Sequence, residues 1–176
     1  MKKFFEDVLK LPYKSNSQDN PKHENQVEDL LKKYGLKYKP QPNGKQNSPD
    51  FHVYWKGLVI SLECKSAAGA KPTYNSGLPK IGVIYIFSSK KYNATTIYYA
   101  DDLVSEKMRG AYRELLKDLD KAVKKFQDNP IVKEDPRGFN FYMRAMYTQA
   151  GTWVSTDYFK HEGREVCEQN VFNHSW

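Results

Sequence analysis

Asp50, Glu63 and Lys65 are the residues of this chain whose types and spacing could do chemistry together. From Leu31 to Ala100 the sequence holds eleven lysines but only two acids, Asp50 and Glu63, and Lys65 follows Glu63 by two residues. Two carboxylates in an otherwise basic stretch point to a divalent-cation site on a face suited to a polyanion. Hard ions such as Mg²⁺ favour carboxylate, carbonyl and water oxygens.

The elements that must position these side chains are legible around them. Phe51 to Trp55 and Leu58 to Lys65 are apolar, β-branched and aromatic runs separated only by Lys56-Gly57, which predicts a β-hairpin with a two-residue turn. Pairing Trp55 with Leu58 and counting outward sets Asp50 opposite Glu63, with Cβ atoms about 4.5–5.5 Å apart. Leu58, Ile60, Leu62 and Cys64 then share a core face, while Val59, Ser61, Glu63 and Lys65 share the other. Two carboxylates at that spacing repel by roughly 3 kcal/mol at an effective dielectric near 20. Lys65 offsets part of this and a divalent cation offsets more, with the backbone carbonyl of Cys64 as candidate third ligand. The plainer reading is an exposed hairpin on which Glu63 and Lys65 form a same-face ion pair worth about 0–1 kcal/mol.

Ser48-Pro49-Asp50 followed by Glu63-Cys64-Lys65 resembles the PD-(D/E)XK nuclease signature, in which Pro-Asp precedes a short gap and then Glu-X-Lys. The resemblance spans residues 49 to 65 and carries the catalytic roles onto Asp50, Glu63 and Lys65. It implies phosphodiester hydrolysis with one or two Mg²⁺ ions held by Asp50, Glu63 and the Cys64 carbonyl. Lys65 would orient the attacking water and stabilise the charge developing at phosphorus. Glu24, beside the apolar stripe of a helix, is the candidate for a further metal-site carboxylate; alternatively it is a helix-start acid favoured by the macrodipole. Glu28 has the same ambiguity and is expected to point further toward solvent.

Composition fits a single domain over residues 1–176, long enough for one sizeable core. The net charge of +7 and the pI near 9.2 favour a polyanionic partner. Cys64 and Cys167 make no CxxC or zinc spacing and no disulfide framework, so a reducing cytoplasm is expected. No apolar run approaches the roughly 20 residues of a membrane span, and the opening Met-Lys-Lys-Phe-Phe-Glu lacks the apolar centre of a signal peptide. The four histidines form neither HxH nor HExxH, which argues against a histidine-based site; His52 is expected on a strand surface.

Helices are predicted near Lys2 to Lys10 and from His23 to Tyr34, the second with Val27, Leu30, Leu31 and Tyr34 on one stripe and Gly35 ending it. Residues 36 to 49 read as a polar loop. Ile81 to Ser88 and Thr95 to Ala100 read as strands, the first a continuous apolar run suited to a sheet interior. A long helix is predicted from Asp101 to Gln127, with Leu103, Val104, Met108, Leu115, Leu119, Ala122 and Phe126 on its buried side, stopped by Asn129-Pro130. Phe139 to Tyr147 reads as a last strand, and the tail to Trp176 shows no clear period. Most of the thirteen tyrosines alternate as strand residues should and are expected in the core. The order fits an α/β fold with a central mixed β-sheet flanked by helices, the core arrangement that the resemblance implies.

Substrate contacts are expected outside the triad. Ser66 to Lys80 leaves the catalytic strand without an acid and offers Lys71, Tyr74, Asn75, Ser76 and Lys80 to DNA, since Asn can read adenine and Lys can reach guanine or phosphate. Asn-Ser-Gly is equally ordinary turn chemistry. The loop from Gln41 to Asn47, with Lys45, is a second candidate, and Arg137, Arg144 and Gln149 a third. Cations on the long helix interleave with Glu114, Asp118 and Asp120, as on a solvated, ion-paired face. Within the nuclease class, the compact chain most resembles a Type II restriction endonuclease. That implies a homodimer on double-stranded palindromic DNA and a cognate methyltransferase in the same cell. A Holliday-junction resolvase and a non-catalytic DNA-binding module of the same fold are the alternatives.

Overall fold

The computed structural model describes residues 1–14, 21–44, 47–75, 77–149 and 157–176. Helices α1 (Lys2–Val8) and α2 (Pro21–Lys33) precede strands β1 (Lys37–Pro40), β2 (Phe51–Trp55) and β3 (Leu58–Ala67). A crossover containing β4 (Thr73–Tyr74) leads to β5 (Val83–Ser89) and β6 (Ala94–Tyr99). Then come α3 (Ala100–Leu103), α4 (Glu106–Gln127), α5 (Pro130–Lys133), β7 (Tyr147–Thr148), a 3₁₀ turn at Tyr158–Lys160 and α6 (Arg164–Asn173).

The main sheet has five strands in the order β1-β2-β3-β5-β6. The β3–β5 pair is parallel and the others are antiparallel, so the protein is α/β with a mixed sheet flanked by helices. The hairpin register is the expected one: Trp55 pairs with Leu58 and Phe51 with Leu62. Both turn residues take positive φ, 47° at Lys56 and 81° at Gly57, the backbone twist that suits a two-residue hairpin.

Strand alternation sorts the side chains into two cores. On one face Phe51, Val53, Ile60, Leu62, Cys64, Ile84 and Ile86 pack beneath Phe4, Phe5 and Val8 of α1 and Val27 and Leu31 of α2. On the other face Tyr85, Phe87 and Tyr98 pack with Tyr74 from the crossover, Tyr158 and Cys167. All seven residues of β5 are buried, the apolar run from Val83 to Phe87 as expected where both sheet faces are covered and Ser88 and Ser89 beyond it.

Several elements differ from expectation. Residues 37–40 form edge strand β1 where the polar composition reads as loop; pairing with β2 supplies the hydrogen bonds that composition does not reveal. The long helix is two helices. Val104 is extended, and Ser105 caps the start of α4 by accepting a hydrogen bond from the Met108 N–H. The apolar side of α4 is not buried: Met108, Leu115, Leu119 and Phe126 are 40–54 % exposed. Asn129-Pro130 does end that helix, but it also starts α5, with Asn129 as side-chain cap and Pro130 in the first turn. Of the strand expected over Phe139 to Tyr147, only Tyr147 joins a strand, in the small β4–β7 sheet. The tail contains α6, whose Val171 and Cys167 reach the two cores.

Candidate functional site

The hairpin carries Asp50 to the end of β2, one residue beyond the Phe51–Leu62 pair, and so beside Glu63. Asp50 Oδ2 accepts a hydrogen bond from the Cys64 N–H at 2.6 Å. Glu63 Oε1 accepts one from Lys65 Nζ at 2.6 Å. This ion pair is not the exposed surface pair of the plainer reading, because the Glu63 side chain is only 8 % exposed and that of Lys65 28 %. Glu63 Oε2 is buried without a hydrogen-bond partner among the described residues. Burial and the neighbouring Glu63 charge push the Asp50 pKa up to about 7 against the smaller opposing effect of the Cys64 N–H.

Glu24, in the first turn of α2, comes close enough to join this electrostatic group. Burial and the Glu63 charge raise its pKa, and Lys65 opposes them. Its neighbour His23 is fully buried and hydrogen-bonds through Nε2 to the Ile86 carbonyl at 3.2 Å, while Nδ1 has no partner among the described residues. Burial lowers the His23 pKa. Glu28 points elsewhere, accepting from Tyr38 Oη at 2.6 Å and pairing with Lys32.

Glu63 and Lys65 line a cavity of about 150 Å³ with Asn47, Ser48, Tyr74, Asn75, Gly77, Leu78, Lys80 and Tyr85. Topology explains why the crossover walls the site. Parallel pairing of β3 with β5 requires the chain to return over one sheet face, and the register sets Glu63 beside Tyr85. The Lys80 N–H donates to Tyr85 Oη at 3.0 Å, and Lys80 Nζ donates to the Ser48 carbonyl at 3.4 Å. Burial pushes the Tyr85 pKa up to about 12, so the phenol keeps its proton at neutral pH.

The expected contact residues divide accordingly. Asn75 and Lys80 are exposed and line the cavity. Tyr74 lines it too but is buried, stacked edge-on to Tyr85 with its hydroxyl on that of Tyr98 at 2.9 Å; it is a wall rather than a reaching arm. Lys71 is exposed and outside the lining. Arg144 braces the crossover, donating from Nε to the Asn75 carbonyl at 2.8 Å, and Arg137 pairs with Asp135. Lys45 and Ser76 lie outside the described residues. Sequence reasoning missed Tyr85 and His23; the alternation of β5 marks Tyr85 only once its parallel pairing with β3 is known.

Among the described residues, no group of three or more His, Cys, Asp or Glu side chains is gathered tightly enough to hold a metal alone. The donor chemistry nonetheless fits a cation: an orphaned, buried carboxylate oxygen lies beside a second carboxylate whose ionised form is disfavoured, and a positive ion would relieve both. Among the described residues no helix is long and apolar enough to cross a membrane. In comparisons with known proteins, the chain matches no family model, no curated protein and no solved structure at a significant level.

Proposed function

We propose that the chain is a Mg²⁺-dependent endodeoxyribonuclease of the PD-(D/E)XK kind with a restriction-endonuclease-like core, acting as a Type II restriction enzyme on double-stranded DNA. The observation that supports this best is that Asp50 stands beside Glu63 on paired strands, with Glu63 and Lys65 lining a cavity that Lys80 also lines. Asp50 and Glu63 would hold the ion, with the Cys64 carbonyl between them and Glu24 at the edge. Bound there, Mg²⁺ supplies Lewis-acid stabilisation of charge on the phosphoryl oxygens.

The chain's own residues do the rest. Glu63 Oε1 holds the Lys65 ammonium at 2.6 Å at the cavity that both residues line, where the attacking water and the scissile phosphate would sit. Held there, Lys65 orients that water and offsets the charge of the transition state. Lys80 and Asn75, which line the same cavity, would contact phosphate and base edge. A restriction enzyme of this kind works as a homodimer on a two-fold site and needs a methyltransferase of matching specificity in the same cell.

The test is incubation with unmethylated phage DNA in Mg²⁺ beside an EDTA control. Discrete Mg²⁺-dependent fragments are expected, and Asp50→Ala or Lys65→Ala should reduce cleavage by about 10²–10³-fold or more while DNA remains bound. Cleavage confined to four-way junctions would replace restriction by junction resolution. Cleavage surviving in both variants would overturn the site.

A further inference from the structure

Helix α4 has 22 residues, of which only Arg109 is buried. Arg109 anchors the helix start, donating from Nη1 to the Pro79 carbonyl at 2.6 Å. Beyond it the helix leaves an apolar row largely uncovered: Met108, Leu115, Leu119 and Phe126 are 40–54 % exposed, while Tyr112 is half-buried with its ring edge-on to Tyr147 at 5.0 Å. Helices in proteins draw most of their stability from packing such a face rather than from intrinsic propensity, so this row calls for a partner.

The row identifies that partner. Met108, Tyr112, Leu115, Leu119, Ala122 and Phe126 follow one another at spacings of 4, 3, 4, 3 and 4 residues, the seam one helix presents to another. The seam is also self-complementary when reversed. With a two-fold axis at Lys117, Met108 falls opposite Phe126, the large Tyr112 opposite the small Ala122, and Leu115 opposite Leu119. A two-fold interface requires such self-matching. On the polar side Lys117 and Lys121 are paired with Glu114 and Asp118 of the same helix, and the cations there lie away from the apolar row.

We propose that α4 is a homodimer interface, in which two copies of this chain pair their α4 helices antiparallel along this seam. The segment after α5 lies alongside α4, with Gln127 hydrogen-bonded to Asn140 and Phe141 and Tyr147 edge-on to Tyr112, and adds Phe139, Tyr142 and Met146, which are 89, 81 and 61 % exposed. At roughly 100 Å² of exposed surface each, the seven large exposed side chains Met108, Leu115, Leu119, Phe126, Phe139, Tyr142 and Met146 supply on the order of 700 Å² per copy, close to the area one side of a stable interface buries. The nuclease reading also calls for a homodimer, but the choice of α4 as the interface is argued from this helix alone, and DNA cleavage by a monomer would remove the pairing and leave the catalytic site standing.

Light scattering on the purified full chain is expected to give twice the 20.5-kDa chain mass at micromolar concentration. Leu115→Glu with Leu119→Glu should halve that mass and leave the far-ultraviolet dichroism of the α/β body in place, since both positions are exposed. The orientation is read by disulfide trapping, the native Cys64 and Cys167 being buried. Chains with Leu115→Cys mixed with chains carrying Leu119→Cys should cross-link to each other in preference to themselves. A monomeric wild type, a double variant that remains dimeric, or cross-linking of like with like would each overturn the proposal.

Discussion

At the scale of single residues, the Asp50 carboxyl carries the clearest physical consequence. Its folded pKa is pushed up to about 7 by burial and by Glu63, above the usual 3.9 of an unfolded Asp. Between those values the folded state binds the proton more tightly than the unfolded chain. Stability contributed by this group is therefore greatest in acid and is lost as pH rises toward 7. Buried His23 works with the opposite sign, since its lowered pKa makes acid the destabilising direction. Comparing a variant with wild type at each pH cancels the His23 effect. Asn at position 50 keeps an oxygen to accept the Cys64 N–H but cannot ionise. In metal-free buffer Asp50→Asn should raise the melting temperature at pH 8 by several degrees, about 1–2 kcal/mol, and by little at pH 4. An equal shift at both values would show that charge is not the cause. Adding Mg²⁺ at pH 8 should shrink the difference by stabilising wild type, a readout that needs no cleavage.

At the scale of elements, the hairpin is what brings Asp50 to Glu63, and its turn is the place to perturb it without touching the site. Gly57 has φ 81°, and a Cβ there would meet nothing within 4 Å, so Gly57→Ala tests backbone strain alone. It should cost about 1 kcal/mol in urea unfolding. Cleavage should persist, because a register slip of one residue would turn every hairpin side chain to the other face; lost cleavage in a folded variant would show that the turn selects the register. This hairpin was legible in the sequence because period-two alternation, Lys56-Gly57 and strand length all agree. Edge strand β1 was not, because Lys37 to Pro40 has no alternating apolar face to announce it and pairs through its backbone. The break at Ser105 was hidden by an apolar pattern that runs on across it. Burial on α4 was misread for a related reason: an amphipathic stripe says that a face is to be covered, not whether its own domain covers it. Tyr85 could not be assigned to the site by spacing either, since its place beside Glu63 depends on a parallel pairing between residues more than twenty apart.

At the scale of the whole molecule, a net charge of +7 predicts attraction to any polyanion but does not say which surface receives it. Two surfaces compete: the cavity wall with Lys80, and the cation-rich flank of α4. The local pairings favour the first. On α4, Lys117 Nζ lies 2.7 Å from Glu114 and Lys121 Nζ 2.9 Å from Asp118, so a phosphate at either lysine would have to displace an existing partner, whereas Lys107, Lys124 and Lys125 are exposed and would have to supply any α4 contact. Among the described residues, Lys80 Nζ rests on a carbonyl oxygen alone, that of Ser48, at 3.4 Å. Lys80→Ala and Lys117→Ala remove the same charge from the protein, so any difference between them reports location and not net charge. Affinity for duplex DNA should fall linearly with salt on a double-logarithmic plot, through release of condensed counterions. Lys80→Ala should make that slope shallower by about one, whereas Lys117→Ala should leave it unchanged. The reverse result would move the DNA onto the polar side of α4, the side turned away from its apolar seam.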